Sequence, residues 1–415
     1  MRRGLIGEHL GHSYSQRIHE TLGGYPYELI EVAPQDLDAW MKNKDFAALN
    51  VTIPYKKAVI PYLEELDERA RRIGAVKTIV NDHGRLIGKN TDYYGCRFML
   101  EQAGIEIQGR KVILLGNGGA VLEDLGAAAI VKVKRNPSPE TLTYEEAYRD
   151  HNDAQVIVNT SPVGMFPAQE GLPVELDQFP QLESVVDVIY NPHRTRLIVE
   201  AQKRGCRTAT GLSMLTAQAA EAIEAFIGKP VAPKSILRMT AELEREKMNL
   251  VLIGMPGCGK STIAKKLAEI SGRPAVDIDR RIVERIGTPI RDFFAQQGEA
   301  RFRQIEAEIL AEVTLQTGQI IATGGGIVKD WENVRRLRQS GKVYFLDRRL
   351  DQLETNPSRP LSSSREALQQ LYDQRIDLYR AACDQQIENN GSVDENANRL
   401  WQNWLSETTG LIDQN

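Results

Sequence analysis

The chain has 415 residues, of which 52 are basic and 56 acidic, giving a formal charge of −4, with 41% apolar and 26% charged residues. That balance suits a soluble globular chain of roughly two or three domains and excludes large-scale disorder, a broad basic surface for nucleic acid, and a membrane span of ~18 consecutive apolar residues. Cys96, Cys206, Cys258 and Cys383 lack paired metal-ligand spacing and read as free thiols of a reducing compartment, the cytoplasm; the apolar run at the N-terminus breaks too early for a signal peptide.

In chain order, Leu5-Ile6 running into Gly7 predicts a short strand and a loop carrying His12, Ser13 and Ser15. Two hydroxyls at alternate positions would face one ligand; equally, the stretch is a serine-rich turn capping a helix that starts near Gln16. Residues 47–56, AALNVTIPYK, read as a strand ended by Pro54 with Lys56 just beyond. Residues 74–79 and 88–95 place polar groups at the ends of apolar segments, where open α/β sheets gather ligand contacts.

Lys111 to Leu115 predicts a buried strand, followed by Gly116-Asn117-Gly118-Gly119-Ala120 as a dinucleotide-type turn. The next strand, Ala129 to Val133, ends in Lys134-Arg135-Asn136, about twenty residues past the first glycine, where an acid would take the ribose hydroxyl of NAD and a base the 2′-phosphate of NADP. The basic ending favours NADP, with Arg135 the expected contact and Lys134 a second, while Lys132 also reads as part of a solvated basic turn. Only Val121 to Leu125 separate Ala120 from Gly126. Six helical residues climb ~9 Å against ~16 Å for a five-residue strand, so the first helix is expected to be short, its connection rearranged and cofactor binding weakened. Val121 also stands where a small residue would let helix and strand approach. Leu215, Ala219, Ala222, Ile223 and Phe226 give residues 213–227 the spacing of an amphipathic helix returning to the first domain, ended by Gly228 and Pro230. Residues 229–233 form a stiff spacer and 236–247 a charged helical connector.

Residues 251–262, VLIGMPGCGKST, combine an apolar strand, a glycine-rich turn and a following helix, the context of a phosphate-binding P-loop. Its glycines let backbone N–H groups turn toward phosphate oxygens and the helix adds its positive end. Gly257, Gly259, Lys260, Ser261 and Thr262 are the expected ATP contacts, Lys260 on the β- and γ-phosphates and the Ser261 hydroxyl on Mg²⁺. Further on, Asp277 and Asp279 would share one side of an extended segment. Gly298-Glu-Ala-Arg301-Phe302-Arg303-x-x-Glu306, a strand ending in Gly324-Gly325-Gly326, a strand over 342–347, Arg359-Pro360-Leu361 and Arg375-x-x-x-Tyr379 complete the series.

The first part of the chain resembles shikimate dehydrogenase. The resemblance rests on Gly11-His12-Ser13-x-Ser15, Asn50-Val51-Thr52-x-Pro54-x-Lys56 and Asn90-Thr91-Asp92-x-x-Gly95. It continues through Asn159-Thr160-Ser161-Pro162-x-Gly164-Met165, Asp187-Val-Ile-Tyr190-Asn191-Pro192 and Gly211-x-x-Met214-Leu215-x-x-Gln218-Ala219. It implies a two-domain α/β dehydrogenase: a substrate domain over 1–95, to which 211–228 return, and a Rossmann-like NADP domain over 96–210. Ser13, Ser15, Thr52, Asn90, Asp92 and Gln218 would bind substrate, with Lys56 and Asp92 the catalytic pair. Gly116, Gly118, Gly119, Ala120 and Arg135 would hold the cofactor, Thr160 and Met165 lie along it, and Tyr190 and Gly211 approach the nicotinamide. The pair suits the chemistry, because hydride reduction of a ketone leaves an alkoxide that needs a proton. Two positions depart from the family pattern. Gln16 replaces a proline, and Lys77 stands where an asparagine normally touches substrate, placing a charge that would repel the Lys56 ammonium or lower its pKa.

Residues 248 to about 400 resemble shikimate kinase, which implies a P-loop α/β domain with a parallel sheet over 248–415, after a linker at 229–247. Asp279, Arg303, Gly325, Gly326 and Arg375 would contact shikimate, Lys260 and Asp279 carry catalysis, and Arg359 sit in a closing lid. The combined expectation is NADPH-dependent reduction of 3-dehydroshikimate to shikimate, then its ATP-dependent phosphorylation, with small-molecule partners and neither nucleic acid nor membrane. A rival keeps the kinase but makes the first half a catalytically impaired binding or regulatory module; another makes the second half a different small-molecule kinase, such as one for gluconate.

Overall fold

A computed structural model describes residues 1–11, 13–116, 119–353 and 364–413, with side chains described as far as residue 406. The chain divides into two compact units, Met1–Asn191 with Thr195–Thr240, and Pro192–Arg194 with Ala241–Asn415.

The first unit holds two sheets. The first is built from β1 (Arg2–Gly7), β2 (Glu28–Glu31), β3 (Phe46–Val51), β4 (Glu65–Leu66), β5 (Thr78–Asp82) and β6 (Arg85–Lys89), in the order β2-β1-β3-β5-β6-β4. Its helices are α1 (Ser15–Gly23), α2 (Leu37–Asn43), α3 (Glu68–Ile73) and α4 (Asp92–Gln102). Neighbouring residues point to opposite faces of a strand. Ile6, Leu49 and Val51 accordingly join one core and Leu5 and Ala48 the other. β5 runs antiparallel to β3 and to β6, so β3 and β6 end at the same edge at which β5 begins. That edge is where the polar residues of the motifs collect. The expected boundary at residue 95 falls inside α4, which runs through it unbroken.

The second sheet contains β7 (Lys111–Leu115), β8 (Ala129–Val133), β9 (Val156–Asn159), β10 (Ser184–Asp187) and β11 (Arg207–Thr210), all parallel, in the order β11-β10-β9-β7-β8. With both faces covered, β7 is apolar along its length, Val112 and Leu114 entering one core and Ile113 and Leu115 the other. Its helices are α5 (Ala120–Asp124), α6 (Tyr144–Asp150), α7 (Arg196–Lys203) and α8 (Gly211–Ile227). The strand order reverses between β7 and β9, the crevice at which such sheets bind ligands. The short first helix is present: α5 has five residues, and the connection turns through Gly126 at φ 78°. The Gly109 N–H donates to the Gly126 carbonyl and the Ala128 N–H to the Arg110 carbonyl, tying the connection to the approach to β7. α8 lays Ala222, Ile223 and Phe226 against Leu5 and Ala48 of the first sheet and Tyr27 just before β2.

α9 (Pro233–Lys247) contains the cut between the units. The second unit has one parallel sheet of β12 (Asn249–Ile253), β13 (Ala275–Asp277), β14 (Ile320–Ala322), β15 (Gly341–Asp347) and β16 (Gln385–Glu388), ordered β13-β14-β12-β15-β16. α10 (Lys260–Ser271), α11 (Ile278–Ile286), α12 (Ile290–Thr314), α13 (Trp331–Ser340), α14 (Arg365–Ala382) and α15 (Val393–Asp413) surround it, α12 being broken at Gly298. One expectation is corrected here. Asp277 and Asp279 do not share the side of an extended segment: Asp277 caps α11, accepting from the Arg280 N–H at 3.1 Å, and Asp279 lies in the helix's first turn. A free carboxylate at the strand's end captures the first helical N–H groups and starts the helix there.

Among the described residues no helix is long and apolar enough to cross a membrane, and all four cysteines are free.

Candidate active sites

At the shared edge of the first sheet, Thr52 and a turn leading to Lys56 follow β3, Asn90 and Asp92 follow β6, and Lys77 immediately precedes β5. The Lys56 Nζ lies 2.5 Å from the Asp92 Oδ2. Both backbones are held, since the Val76 N–H donates to the Lys56 carbonyl at 2.8 Å and Asp92 opens α4, whose positive end favours a carboxylate. Burial works to raise the Asp92 pKa, but the Lys56 and Lys77 ammonium groups hold it below the ordinary aspartate value. The charge conflict expected around Lys77 falls on Lys77 itself: burial lowers its pKa to about 8, opposed by Asp92 and reinforced by Lys56.

Two buried amides complete this edge. Asn90 donates to the Ala75 carbonyl and Gln218 to the Leu215 carbonyl, each at 2.8 Å, leaving Asn90 Oδ1 and Gln218 Oε1 buried without a partner. Such orphaned acceptors are costly unless a ligand supplies a donor. Gly95 permits the close crossing of α4 and α8 that seats Gln218, because a β-carbon there would stand 2.5 Å from the Met214 carbonyl oxygen. Asn50 is structural: it accepts from the Tyr27 hydroxyl at 2.7 Å and donates to Thr78 Oγ1 at 3.1 Å, continuing to Thr91 Oγ1 at 3.0 Å. Ser15 is the first residue of α1, and Ser13 Oγ accepts its N–H at 3.2 Å, so the loop has the character of a serine turn. Between them, Tyr14 meets Tyr190 edge to face with ring centroids 5.7 Å apart.

At the switch point of the second sheet, Gly116 and Gly119 take φ values of 110° and 130°, and a β-carbon on Gly116 would press on Thr160 Oγ1. Thr160 is fixed by donating its hydroxyl to the Leu115 carbonyl at 2.9 Å. Gly211 passes so close to the Val188 carbonyl that no side chain fits. Met165 is 46% exposed, an open apolar surface beside these turns in sequence. Arg135 is exposed, whereas the Lys132 side chain runs to within 3.9 Å of where a Gly119 β-carbon would be. Of the three bases at the end of β8, the one beside Gly119 is therefore the one that reads in the sequence as part of a solvated surface. α5 is fastened from the first sheet's helices: Arg72 donates to the Ala120 carbonyl at 2.9 Å and to Asp124 at 2.7 Å, and the Tyr93 hydroxyl donates to Asp124 at 2.5 Å.

In the second unit one cavity of about 1160 Å³ is lined by Gly257, Gly259, Lys260, Ser261, Thr262, Asp279, Arg303, Gly325, Gly326 and Arg375. Gly254, Gly257 and Gly259 have φ of 151°, 81° and 91°, and the Lys260 ammonium rests on the Gly254 and Met255 carbonyls at 2.8 and 3.0 Å. The three glycines after β14 each make room for a particular group. A β-carbon would reach Asp279 and Glu306 from Gly324, Pro256 from Gly325, and the Arg303 guanidinium from Gly326. Arg303 donates to Glu306 at 2.6 Å; burial raises the Glu306 pKa, against the pull of Arg303. Arg375 and the Tyr379 hydroxyl both donate to the Gly325 carbonyl, at 2.9 and 2.5 Å.

Gly118 and Arg359 lie outside the described residues, as does His12 of the first motif. Sequence reasoning gave no role to Glu306, Tyr379, Asn389 or Arg348, all of which bear on the cavity. Glu306 had a readable signal, three residues beyond Arg303 on one helix face. Asn389, which donates to the Cys258 carbonyl of the P-loop at 2.5 Å, had none beyond its place after a strand.

The first unit thus has the parts of an oxidoreductase, a proton-handling pair joined to a dinucleotide-type sheet, and the second those of a phosphotransferase. A family model for the shikimate dehydrogenase substrate binding domain matches residues 5–79, and one for shikimate kinase matches residues 256–404. A shikimate dehydrogenase (NADP(+)) from Clostridium beijerinckii is 37% identical over 246 residues, covering 53% of this chain and 90% of that protein. Among solved structures, a chorismate mutase/shikimate 5-dehydrogenase fusion protein from Clostridium acetobutylicum matches at 35% identity and TM-score 0.55, over 58% of this chain and 96% of its own. Shikimate 5-dehydrogenase from Thermus thermophilus, in complex with NADP(H) and shikimate, matches at 29% identity and TM-score 0.52, over 58% and 99%. The chain belongs to the shikimate dehydrogenase family and carries a shikimate kinase domain in its second unit, which makes it a bifunctional enzyme of the shikimate pathway.

Proposed function

We propose that the first unit reduces 3-dehydroshikimate to shikimate with NADPH and that the second phosphorylates shikimate with ATP at its 3-hydroxyl. The observation that carries the first half is the 2.5 Å contact of Lys56 with Asp92. When hydride reaches the carbonyl carbon, the oxygen becomes an alkoxide. An ammonium held on a carboxylate stabilises that charge and delivers the proton. The partnerless oxygens of Asn90 and Gln218 would accept from substrate hydroxyls, while Ser13, Ser15 and Thr52 would donate to its oxygens. NADP fits the residues present: glycines with positive φ at the switch point admit a pyrophosphate, and Lys132, Lys134 and Arg135 would meet the 2′-phosphate, Lys132 lying beside Gly119.

In the second half, Arg303 and Arg375 would take the substrate carboxylate and Asp279 orient the attacking hydroxyl. Lys260 would exchange the Gly254 and Met255 carbonyls for phosphate oxygens, and Ser261 would give Mg²⁺ a hydroxyl ligand. The domain limits proposed are 1–95 with 211–228, 96–210, a connector at 229–247, and 248–415; the cytoplasm is the proposed location. Shikimate-dependent reduction of NADP⁺, followed by absorbance, tests the first activity, and shikimate-stimulated ADP release tests the second. Folded protein without NADP⁺ turnover would return the first unit to a binding or regulatory role.

A further inference from the structure

Asp187 ends β10 beside the Asn159 that ends β9, and it is wholly buried. Its carboxylate has three bonded partners, all neutral. Oδ1 accepts from the Asn159 amide and from the Ile189 N–H, each at 3.1 Å, and Oδ2 accepts from the Thr195 hydroxyl at 2.6 Å. Among the described residues no basic group is bonded to it. A buried carboxylate without a cation is a costly way to end a strand, tolerable only where hydrogen bonds satisfy its oxygens.

Each donor belongs to a different turn. Asn159 fixes the loop after β9, its own oxygen accepting from the Ser161 N–H at 3.0 Å and from the Ser161 hydroxyl at 2.7 Å. Between them Thr160 donates its N–H to the Leu115 carbonyl at 2.8 Å. Ile189 immediately precedes Tyr190, and its carbonyl accepts at 3.0 Å from the N–H of Gly211, which opens α8. Thr195 caps α7, accepting from the Ile198 N–H at 3.4 Å. One carboxylate therefore ties the ends of β9 and β10 to the starts of α7 and α8. Thr160 and Tyr190, both expected along the cofactor, each directly follow a residue that Asp187 holds, and Gly211 is bonded to one of them.

We propose that Asp187 is a positioning residue for the cofactor: by holding the turns after β9 and β10 on one carboxylate, it fixes the spacing of Thr160 and Tyr190 on which a dinucleotide would be seated. The inference rests on the proposed dehydrogenase reading. Asp187 itself would touch no reacting atom.

The test uses the full chain as wild type, Asp187→Asn, Thr195→Val and Thr195→Ser. It measures NADPH affinity by fluorescence titration, KM and kcat for NADP⁺ and shikimate, and thermal unfolding. Asp187→Asn keeps the side chain's shape but turns one acceptor atom into a donor, so at least one of the three bonds is lost or reversed. NADPH affinity is expected to fall about tenfold and kcat about ten- to a hundredfold, the scale of a misplaced reactant, with the KM for shikimate within about threefold. Thr195→Val should weaken NADPH about threefold, and Thr195→Ser, which keeps the hydroxyl, should bind it as the wild type does. Folded Asp187→Asn with unaltered NADPH affinity and kcat overturns the inference, as does an equal rise in both KM values. If Asp187→Asn does not fold, the Thr195 pair decides: equal NADPH affinity in Thr195→Val and Thr195→Ser overturns it. Wild-type protein that binds NADPH without oxidising shikimate overturns the dehydrogenase reading alone, and the titrations still decide whether Asp187 seats the dinucleotide.

Discussion

The Arg303 guanidinium lies against the backbone of Gly326, filling the place a β-carbon would take there. Glu306, itself 1% exposed, holds the same guanidinium at 2.6 Å. Arg303 is therefore positioned by the absence of one side chain and the presence of another. Gly326→Ala is expected to push the guanidinium out of register and lower kcat/KM for shikimate phosphorylation by about 10²-fold, the scale of a misplaced binding group. The KM for ATP should change little, since the P-loop is untouched. A Gly326→Ala enzyme with wild-type shikimate kinetics would remove Arg303 from the substrate's path.

The two activities should fail separately. Each unit has its own apolar core, that of the second formed by β12, β14 and β15 with their helices, and those of the first by its two sheets. Lys56→Ala is expected to lower shikimate-dependent NADP⁺ reduction by at least about 10³-fold while ADP release persists. Lys260→Ala should do the reverse, removing the amine that now sits on the Gly254 and Met255 carbonyls. Parallel assays of both reactions on both variants decide the point. Loss of both activities from either change would contradict two independent centres.

Much of this was legible because the functional residues are covalently close to elements with strong periodicity. β7, β8, β12 and β15 are largely apolar runs, and the turns after β7 and β12 carry the glycines of the two nucleotide sites. The shortness of α5 could be read from residue spacing alone, since rise per residue is fixed by backbone geometry. What fastens it could not: Arg72 and Tyr93 lie far back in the sequence and reach α5 only through the fold. Asp277 and Asp279 misled because a two-residue spacing signifies one side only in a strand, and the strand stops at Asp277 when that carboxylate caps a helix. The fate of Lys77 also needed the structure. Its sequence neighbourhood shows a charge beside Lys56, but burial, which decides which group yields, depends on α1, α4 and both flanking strands.

Lys77 should cost the protein stability in a way that depends on pH. Its folded pKa of about 8 lies below the unfolded value of 10.5, so between those values the unfolded chain binds more protons. Stability contributed by this site is lowest below about pH 8 and rises as pH increases toward 10.5. The shift corresponds to a penalty of order 3 kcal/mol near neutrality. Lys77→Met is expected to raise the melting temperature of the first unit at pH 7 by several degrees, roughly the effect of a few kcal/mol in a domain of this size, with the gain fading at alkaline pH. Thermal unfolding at pH 7 and pH 10 measures it. A melting temperature lowered at pH 7 would show that the ammonium is stabilised at this edge.

The clasp on α5 addresses how a helix of five residues keeps a cofactor turn in place. Arg72 holds both ends of that helix, the Ala120 carbonyl and the Asp124 carboxylate, and Tyr93 donates to the same carboxylate. The Arg72–Asp124 ion pair is solvated, so its direct contribution to stability is expected to be small. Its effect on the turn should be larger than its effect on folding. Arg72→Ala is expected to raise the KM for NADP⁺ about three- to tenfold, with kcat within about twofold and a melting temperature nearly unchanged, as suits a residue that positions a binding loop without touching the reacting atoms. Arg72→Lys should recover part of the loss, because one ammonium reaches one of the two acceptors. An Arg72→Ala enzyme with an unaltered KM for NADP⁺ would mean that the loop between β7 and α5 holds its own shape, and that the connection through Gly126 carries the burden instead.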